Sequence, residues 1–298
     1  MSADDRPKLD RPGDSAAEGA DGAPPLPDAG PLRLRWQGRT LVVELDHGRA
    51  NEMGSDALAG WEVVCRLLES GAARALLTYS RRRSPKGAAI FISGADVTER
   101  AGWAEAQVKA HVRRQRDLLA RLRRAPVFHV AVVNGVAFGW GTEFLITADY
   151  RLATPEARFA LPETGLGILP GAGGTSELWA LIGVSQALRL GMTGEELSAA
   201  AAQEIGLVQE VVDDVDAGLA RAAALCRAVG RRSPTAVAMF KRALLDSVGS
   251  SGLHRAELEA RAYERCVDAG EAAIGRAGFK EILAGGVPAW GPLRLPEA

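Results

Sequence analysis

The first clear pattern along the chain is an alternation of apolar and polar residues, which is typical of a β-strand with one buried face. Segments 32–37 and 41–45 both show it, and Gly38-Arg39 between them can turn the chain. We therefore expect a hairpin. Residues 55–70 instead place their apolar side chains at helical spacing, which predicts an amphipathic helix.

The middle of the chain predicts strands in alternation with helices. Strands are predicted at 73–79, 88–92, 127–133, 150–153 and 158–161, and a long polar helix at 102–123. From residue 176 onward the pattern is helical, with one short strand predicted at 207–212. Residues 234–284 read as a run of helices. This order predicts an α/β architecture with a helical C-terminal region.

Composition narrows the functional class. The 298 residues are 47% hydrophobic and carry a net charge of -1, which argues against a dedicated nucleic-acid-binding protein. The cysteines Cys65, Cys226 and Cys266 are far apart, which argues against a disulfide framework or a zinc site and favours a reducing cytoplasm. The longest apolar region, 126–148, contains polar residues that a bilayer span would not tolerate.

The start of the chain has a different composition from the rest. Residues 1–30 hold five of the fifteen prolines, and acidic residues outnumber basic ones there by seven to three. They lack the basic start and apolar run of a secretory signal. We expect a flexible tail over 1–30, an α/β core over 31–232 and a helical oligomerisation region over 233–298.

Two segments rich in small residues follow predicted buried strands. They are 91–96, which ends in Asp96, and 134–143, whose glycines lead into a helix. Small residues leave backbone N–H groups uncovered, and a helix start favours negative charge. Brought together, the two turns could hold a carbonyl oxygen that becomes an oxyanion. Alternatively, the glycines only allow tight packing, and Asp96 caps its own turn.

Two glutamates are candidates for acid–base chemistry. Glu143 lies in an otherwise apolar segment, where a carboxylate costs desolvation unless it is paired or functional. Glu163 follows Pro162 in a glycine-rich loop. Singly, the first could interact with a helix dipole and the second could be solvated; together they could share one water. The loop 171–175 lacks a P-loop lysine, and the four histidines lack metal or triad spacing, so no metal is predicted.

Several motifs in order resemble the enoyl-CoA hydratase/isomerase family, also called the crotonase family. The resemblance runs from about Leu32 to Lys280, and its most specific segments are 90–96, 131–143, 158–163 and 167–175. It implies a spiral of β-β-α turns with a helical C-terminal region that forms trimers, often paired into hexamers. It also implies an acyl-CoA thioester as substrate and no prosthetic group.

The resemblance also implies roles for individual residues. The backbone N–H groups of Ala95 and Trp140 would bind the thioester oxygen, Glu143 would help activate water, and Glu163 would protonate the carbon next to the thioester. The turns expected to bind substrate contain Gly94, Asp96, Gly139, Gly141, Pro170 and Gly171. Because both glutamates are present, hydration is favoured over isomerisation, decarboxylation or thioester hydrolysis, which remain the alternatives.

Three positions depart from the family pattern. Trp140 replaces a common glycine, so its indole either narrows the acyl pocket or packs in the core. Thr98-Glu99 stand where many members have a lysine near the coenzyme. The basic loop 81–86 could contact nucleotide phosphates or be a solvated surface loop. These departures leave room for a carrier-protein thioester as the substrate.

A non-enzymatic RNA-binding role is the alternative from another class. Its motivation is the basic loop and a group of helical arginines, Arg113, Arg114, Arg116, Arg121, Arg123 and Arg124. No aromatic residues are interleaved with them, and such arginines usually form a solvated helix face. An inactive scaffold is a third possibility, which the two intact glutamates oppose.

Overall fold

The computed structural model describes residues 23–295, whose strands form two sheets. The larger sheet has the order β1-β2-β3-β5-β7-β10 and the smaller one the order β4-β6-β8-β9. The strands are β1 (Leu32–Gln37), β2 (Thr40–Leu45), β3 (Ala75–Ser80), β4 (Ile90–Ile92), β5 (Phe128–Val133), β6 (Val136–Phe138), β7 (Tyr150–Ala153), β8 (Arg158–Ala160), β9 (Leu197–Ser198) and β10 (Glu210–Val211).

Helices lie between the strands and then dominate the end of the chain. The first seven are α1 (Ser55–Glu69), α2 (Glu105–Arg123), α3 (Trp140–Phe144), α4 (Trp179–Ile182), α5 (Val184–Thr193), α6 (Ala199–Glu204) and α7 (Val215–Gly230). They are followed by α8 (Pro234–Ser247), α9 (Gly252–Asp268), α10 (Glu271–Ala277) and α11 (Phe279–Leu283). No helix among residues 23–295 has an apolar stretch long enough to cross a bilayer.

From β3 to β8, successive strands alternate between the two sheets. Strands β3, β5 and β7 pair in parallel in the larger sheet, and β4, β6 and β8 pair in parallel in the smaller one. Each β-β pair therefore advances the chain by one step of a spiral, as the family resemblance implied. The ends of β4 and β6 lie side by side, because Ile92 pairs with Ala137.

The larger sheet separates two apolar cores, and the alternation along β3 shows how. Leu76 belongs to the main core, which contains Trp61 of α1, whereas Leu77 faces a second core. Helix α7 covers that second core with Ala222 and Cys226. Burial on both faces explains why the strands in the middle of this sheet are almost continuously apolar.

The predicted hairpin and the predicted α/β class are confirmed: β1 and β2 pair antiparallel with Leu34 opposite Val43. Two short strands were missed. The segment 136–138 forms β6, and the prediction of one strand after residue 176 is wrong, because β9 adds Leu197–Ser198 to the smaller sheet. Strands of two or three residues are too short to show a period of two, so only their pairing defines them.

The predicted tail over 1–30 lies mostly outside the described residues. Its final part contacts the rest of the chain. The indole Nε1 of Trp36 donates a hydrogen bond to Pro24 O at 2.9 Å, and Ala29 is buried in the main core. The last residues of the predicted tail therefore cover one edge of the core.

Candidate active site

The backbone N–H of Ala95 is left free by the pairing around it. Met53 donates its N–H to Gly94 O at 2.9 Å and accepts from Asp96 N at 3.1 Å. In a parallel pairing of this kind the middle residue directs its own N–H to the opposite side. Among residues 23–295, no protein acceptor takes the N–H of Ala95. A methyl group on Gly94 would lie 3.5 Å from Phe138 O, so this turn adjoins the start of α3.

The start of α3 supplies the second free amide. Trp140 is the first residue of the helix, so its N–H lies among the donors that have no partner within a helix. Gly139 precedes it with φ 51° and donates to Ala160 O at 2.9 Å. The Thr142 hydroxyl donates to the carbonyls of Ala137 and Ala160, 2.6 Å and 3.0 Å away, which ties the helix start to β6 and β8.

The indole of Trp140 packs in the core and does not narrow a pocket. It is 2% exposed, and its ring centroid lies 5.7 Å from that of Phe144. Phe144 also contacts Trp61, with 4.9 Å between centroids, and Phe91, at 6.0 Å. The large side chain therefore extends an aromatic cluster beneath the site, while its backbone N–H has no acceptor among residues 23–295.

Glu143 is buried in the first turn of α3, with 3% of its surface exposed. Its Oε1 accepts hydrogen bonds from the N–H groups of Ala172 and Gly174, at 2.7 Å and 2.9 Å. Burial and, to a smaller extent, the negative charge of Glu163 raise the pKa of Glu143 to about 7, although the two hydrogen bonds act in the opposite direction. Among residues 23–295, its Oε2 has no protein partner and remains able to contact a water.

Glu163 lies beside the same helix start. It belongs to the short 3-10 helix Pro162–Leu166, and burial raises its pKa as well. A methyl group on Gly139 would lie 2.7 Å from Glu163 Oε1, so the carboxylate rests directly on the glycine at the start of α3. Its Oε2 is buried without a hydrogen-bond partner among residues 23–295. The structure thus brings the two predicted glutamates and the two free amides together.

Two cavities flank the segment that holds Glu143. One, of about 360 Å³, reaches Glu143 and is lined by Leu119 and Ala120 of α2 and by Ile146. The other, of about 500 Å³, is apolar and is lined in part by Pro170. The site therefore has room on either side for an acyl group.

The other predicted substrate-binding residues fall into two groups. Gly94, Gly139 and Gly141 lie at the two amide turns, and Gly141 allows close approach because a methyl group there would lie 2.3 Å from a backbone oxygen of β4. Pro170 and Gly171 precede the donors to Glu143. They belong to the wall of the site.

Asp96 caps its own turn. Its Oδ1 accepts from Thr98 N and Oγ1, at 2.8 Å and 2.6 Å, and from Glu99 N at 3.2 Å. Glu99 in turn accepts from Ser55 N at 2.9 Å and Ser55 Oγ at 2.8 Å, at the start of α1. These two carboxylates fix the loop that follows Ala95, which leaves Thr98-Glu99 occupied by internal contacts.

The arginines of the basic loop are paired within the chain. Arg81 contacts Asp216 at 2.6 Å, and Arg82 contacts Asp46 at 3.0 Å. Arg83 contacts a glutamate of the β7–β8 turn at 3.0 Å. This loop is therefore better described as a surface loop than as a phosphate site.

Five of the six helical arginines are also paired. Arg114 contacts Glu62 at 2.9 Å, and the remaining pairs are Arg116–Asp117, Arg121–Glu69, Arg123–Glu177 and Arg124–Asp246. Neutralised side chains attract phosphates weakly, so this surface gives no support to RNA binding. Among residues 23–295, no three His, Cys, Asp or Glu side chains converge as a metal site requires.

Sequence reasoning missed the groups that hold Glu143. The backbone donors Ala172 and Gly174 lie 29 and 31 residues further along the chain. The glycine run 171–175 was their only signal in the sequence. A methyl group on Gly174 would lie 2.6 Å from Pro170 Cβ and 3.1 Å from Glu143 Oε1, so this position requires glycine.

Known proteins of one family are similar to this chain. A family model described as enoyl-CoA hydratase/isomerase matches residues 86–286. A mitochondrial enoyl-CoA hydratase domain-containing protein 2 from Bos taurus is 34% identical over 223 residues, which cover 74% of each chain.

Solved structures share the fold over most of the chain. An enoyl-CoA hydratase from Bacillus anthracis superimposes with a TM-score of 0.79 at 30% identity, covering 87% of this chain and 98% of that one. DspI from Pseudomonas aeruginosa also gives a TM-score of 0.79 at 30% identity, covering 89% and 98%. The architecture, the order of the motifs and these similarities together show that the chain belongs to the enoyl-CoA hydratase/isomerase family.

Proposed function

We propose that this protein adds water across the double bond of an enoyl thioester, with coenzyme A as part of the substrate. The observation that carries this proposal is the convergence of Glu143 and Glu163 beside two free backbone amides. An acid and a base on one water are what hydration requires. The amides would bind the thioester oxygen as it becomes an enolate, and each donor typically contributes ~3 kcal/mol to such stabilisation.

The hydrogen bonds support one division of roles between the two carboxylates. Two backbone N–H groups stabilise the ionised form of Glu143, whereas the buried Oε2 of Glu163 has no donor among residues 23–295. Glu143 is therefore the base and Glu163 the acid. Glu143 takes a proton from water as the hydroxyl oxygen bonds to the β-carbon, and Glu163 gives its proton to the α-carbon. The product carries the hydroxyl on its β-carbon and the new proton on its α-carbon, and return of a proton from Glu143 to Glu163 through water restores the enzyme.

The same two free amides would serve other reactions of the family, so the carboxylates decide between them. Double-bond isomerisation moves a proton without adding water, decarboxylation releases carbon dioxide, and thioester hydrolysis releases the acyl group. Hydration alone adds the mass of one water to an acyl group that stays on its thioester. The identity of the product therefore separates the alternatives, and a carrier-protein thioester can be compared with the CoA thioester in the same assay.

We also propose that the chain assembles as a homotrimer, or as a hexamer of paired trimers. Large apolar side chains on the C-terminal helices are exposed in the single chain, namely Phe240, Leu244, Leu253, Tyr263 and Leu283. Such a surface is typical of a protein–protein interface. Light scattering after gel filtration would measure the assembly, and a monomer at micromolar concentration would contradict this proposal.

The test of function is turnover of short enoyl-CoA thioesters with product masses. Glu143→Gln and Glu163→Gln should each lower kcat by roughly 10²- to 10⁴-fold, since each removes one proton-transfer group. Glu105→Gln is the matched control, because its carboxylate is 92% exposed on α2 and should retain full activity. Hydration that persists in both active-site variants would refute the two-carboxylate mechanism.

A further inference from the structure

A third cavity lies beneath helix α8, beyond the cavity that reaches Glu143. It has a volume of about 620 Å³ and lies between α8 and the starts of β5 and β7. Most of its walls are aliphatic or aromatic, and they include Phe128, Val237, Phe240 and Leu244. Protein interiors leave few voids larger than a water molecule, so an apolar space of this size requires an occupant.

This cavity adjoins the one at Glu143. Three residues line both cavities, namely Arg123 at the end of α2, Ile146 just after α3 and Leu245 of α8. We call the two adjoining cavities the channel. The channel leads from the carboxylate of Glu143, past Ile146 and Leu245, to the space beneath α8.

The charged side chains along the channel are already paired. Lys241 Nζ donates to Asp149 at 2.8 Å. Arg151 donates to three backbone carbonyls, and Arg123 pairs with Glu177. These groups need no charge from a ligand, so the surface that the channel offers is apolar. A hydrocarbon chain fits it better than a polar or charged group does.

The apolar cavity of about 500 Å³ on the other side of the site is a less direct continuation. Neither Glu143 nor Glu163 is among the residues that line it, whereas Glu143 itself lines the channel. An acyl group with its double bond at Glu143 would therefore continue into the channel rather than into that cavity.

We propose that the channel binds the alkyl tail of the substrate. The preferred substrate would then be an enoyl thioester with a medium or long chain, such as trans-2-dodecenoyl-CoA, rather than a short one such as crotonyl-CoA. This inference rests on the proposed function. Leu245 stands where the two cavities meet, so its size decides whether a tail can pass beneath α8. Burial of the tail would stabilise the complex in proportion to the apolar area removed from water.

Binding can be measured without turnover by using saturated thioesters. Isothermal titration would compare butyryl-CoA, octanoyl-CoA and dodecanoyl-CoA, which differ only in the length of the tail. Each methylene that becomes buried should tighten binding by about 2- to 4-fold. The wild type should therefore bind dodecanoyl-CoA at least about 100-fold more tightly than butyryl-CoA. Equal affinities for the three thioesters would overturn the proposal.

Two variants narrow the channel at different depths. Leu245→Trp places an indole where the cavities meet and should remove most of the gain between butyryl-CoA and dodecanoyl-CoA. Ala236→Phe fills only the cavity beneath α8 and should weaken dodecanoyl-CoA by about 10-fold or more while butyryl-CoA binds as before. Both positions are half-buried, and the second variant decides the test if the first does not fold. An equal loss for all three thioesters in both variants would overturn the proposal.

Two matched controls locate the tail. Arg242→Trp places the same indole on the exposed side of α8, outside both cavities, and should keep the wild-type dependence on chain length. Ala187→Phe narrows the cavity of about 500 Å³ and should keep it as well. If Ala187→Phe removes the preference for dodecanoyl-CoA and Leu245→Trp retains it, the tail lies in that other cavity and the proposal is wrong.

Turnover separates this inference from the proposed function. In the wild type, kcat/KM for hydration of trans-2-dodecenoyl-CoA should exceed that of crotonyl-CoA by about 10-fold or more, and Leu245→Trp should bring the ratio close to one. Hydration of both at equal kcat/KM would leave the proposed function standing and refute the role of the channel. Hydration of neither, alongside a chain-length preference in binding that Leu245→Trp removes, would refute the proposed function alone.

Discussion

Gly139→Ala tests whether the glycine before α3 sets the position of Glu163. The backbone of Gly139 has φ 51° and ψ -119°, a conformation that residues with a Cβ rarely adopt. Forcing alanine into it costs of order 1–3 kcal/mol. The added methyl group would also lie 2.7 Å from Glu163 Oε1, closer than a carbon and an oxygen can approach without movement. The substitution therefore acts on both stability and catalysis.

The catalytic part can be estimated from the contact. Glu163 must move away from the methyl group, and a displacement of about 1 Å at a reacting group can cost roughly 10²-fold in rate. We expect kcat/KM for enoyl-CoA hydration to fall by about that factor at a temperature where the variant is fully folded. Urea unfolding would measure the loss of stability in the same preparation.

Gly38→Ala separates strain from the effect on Glu163. Gly38 also has a positive φ, 57°, in the β1–β2 hairpin, and a methyl group there would meet no atom within 4 Å. It should lose stability from strain of about 1–2 kcal/mol and retain full activity. If Gly139→Ala keeps wild-type kcat/KM while it is folded, the inferred contact between Gly139 and Glu163 does not position the acid.

Further predictions concern protonation, an ion pair and a helix. Activity should fall as pH drops below about 7, where the base Glu143 becomes protonated; a pH–rate profile checks this. The pKa of Glu143 is raised from 4.5 to about 7 in the folded protein. The free energy of unfolding should therefore fall as pH rises from about 4.5 to about 7, because the carboxyl ionises more readily in the unfolded chain. The loss is about 3 kcal/mol at 1.36 kcal/mol per pKa unit, so Glu143→Gln should raise the melting temperature more at pH 8 than at pH 5. Lys241→Met leaves Asp149, 2.8 Å from Lys241 Nζ, without its cation and should cost about 3 kcal/mol in urea unfolding; a loss below about 1 kcal/mol would contradict this. Gly191→Ala in α5 meets no atom within 4 Å and should gain up to about 1 kcal/mol by the same measurement.

The spiral of alternating strands depends on contacts that no local pattern contains. Strand β9 has two residues, and it exists because Leu197 pairs with Phe159 of β8. Strand β6 has three residues and is held between β4 and β8. Alternation over two or three positions carries no periodic signal, so these strands are defined only when the chain has folded.

The amino-acid sequence also did not predict the ion pairs of the arginines. In the sequence, the basic loop and the helical arginines suggest a surface that binds anionic ligands. Several of their acidic partners are distant along the chain: Arg81 and Asp216 are 135 residues apart, and Arg124 and Asp246 are 122 apart. The net charge of -1 was the one sequence property consistent with the pairing of these arginines with acidic residues.

The sequence by itself determined the hairpin, the α/β class and the family, and it singled out Glu143 and Glu163 as candidates, because periodicity and motif order are properties of neighbouring residues. Tertiary structure decided the rest. It placed Glu163 on Gly139, directed the amides of Ala172 and Gly174 at Glu143, and turned the indole of Trp140 into the core. Each of these depends on burial and on contacts between distant segments, and those arise only when the two sheets close on one another.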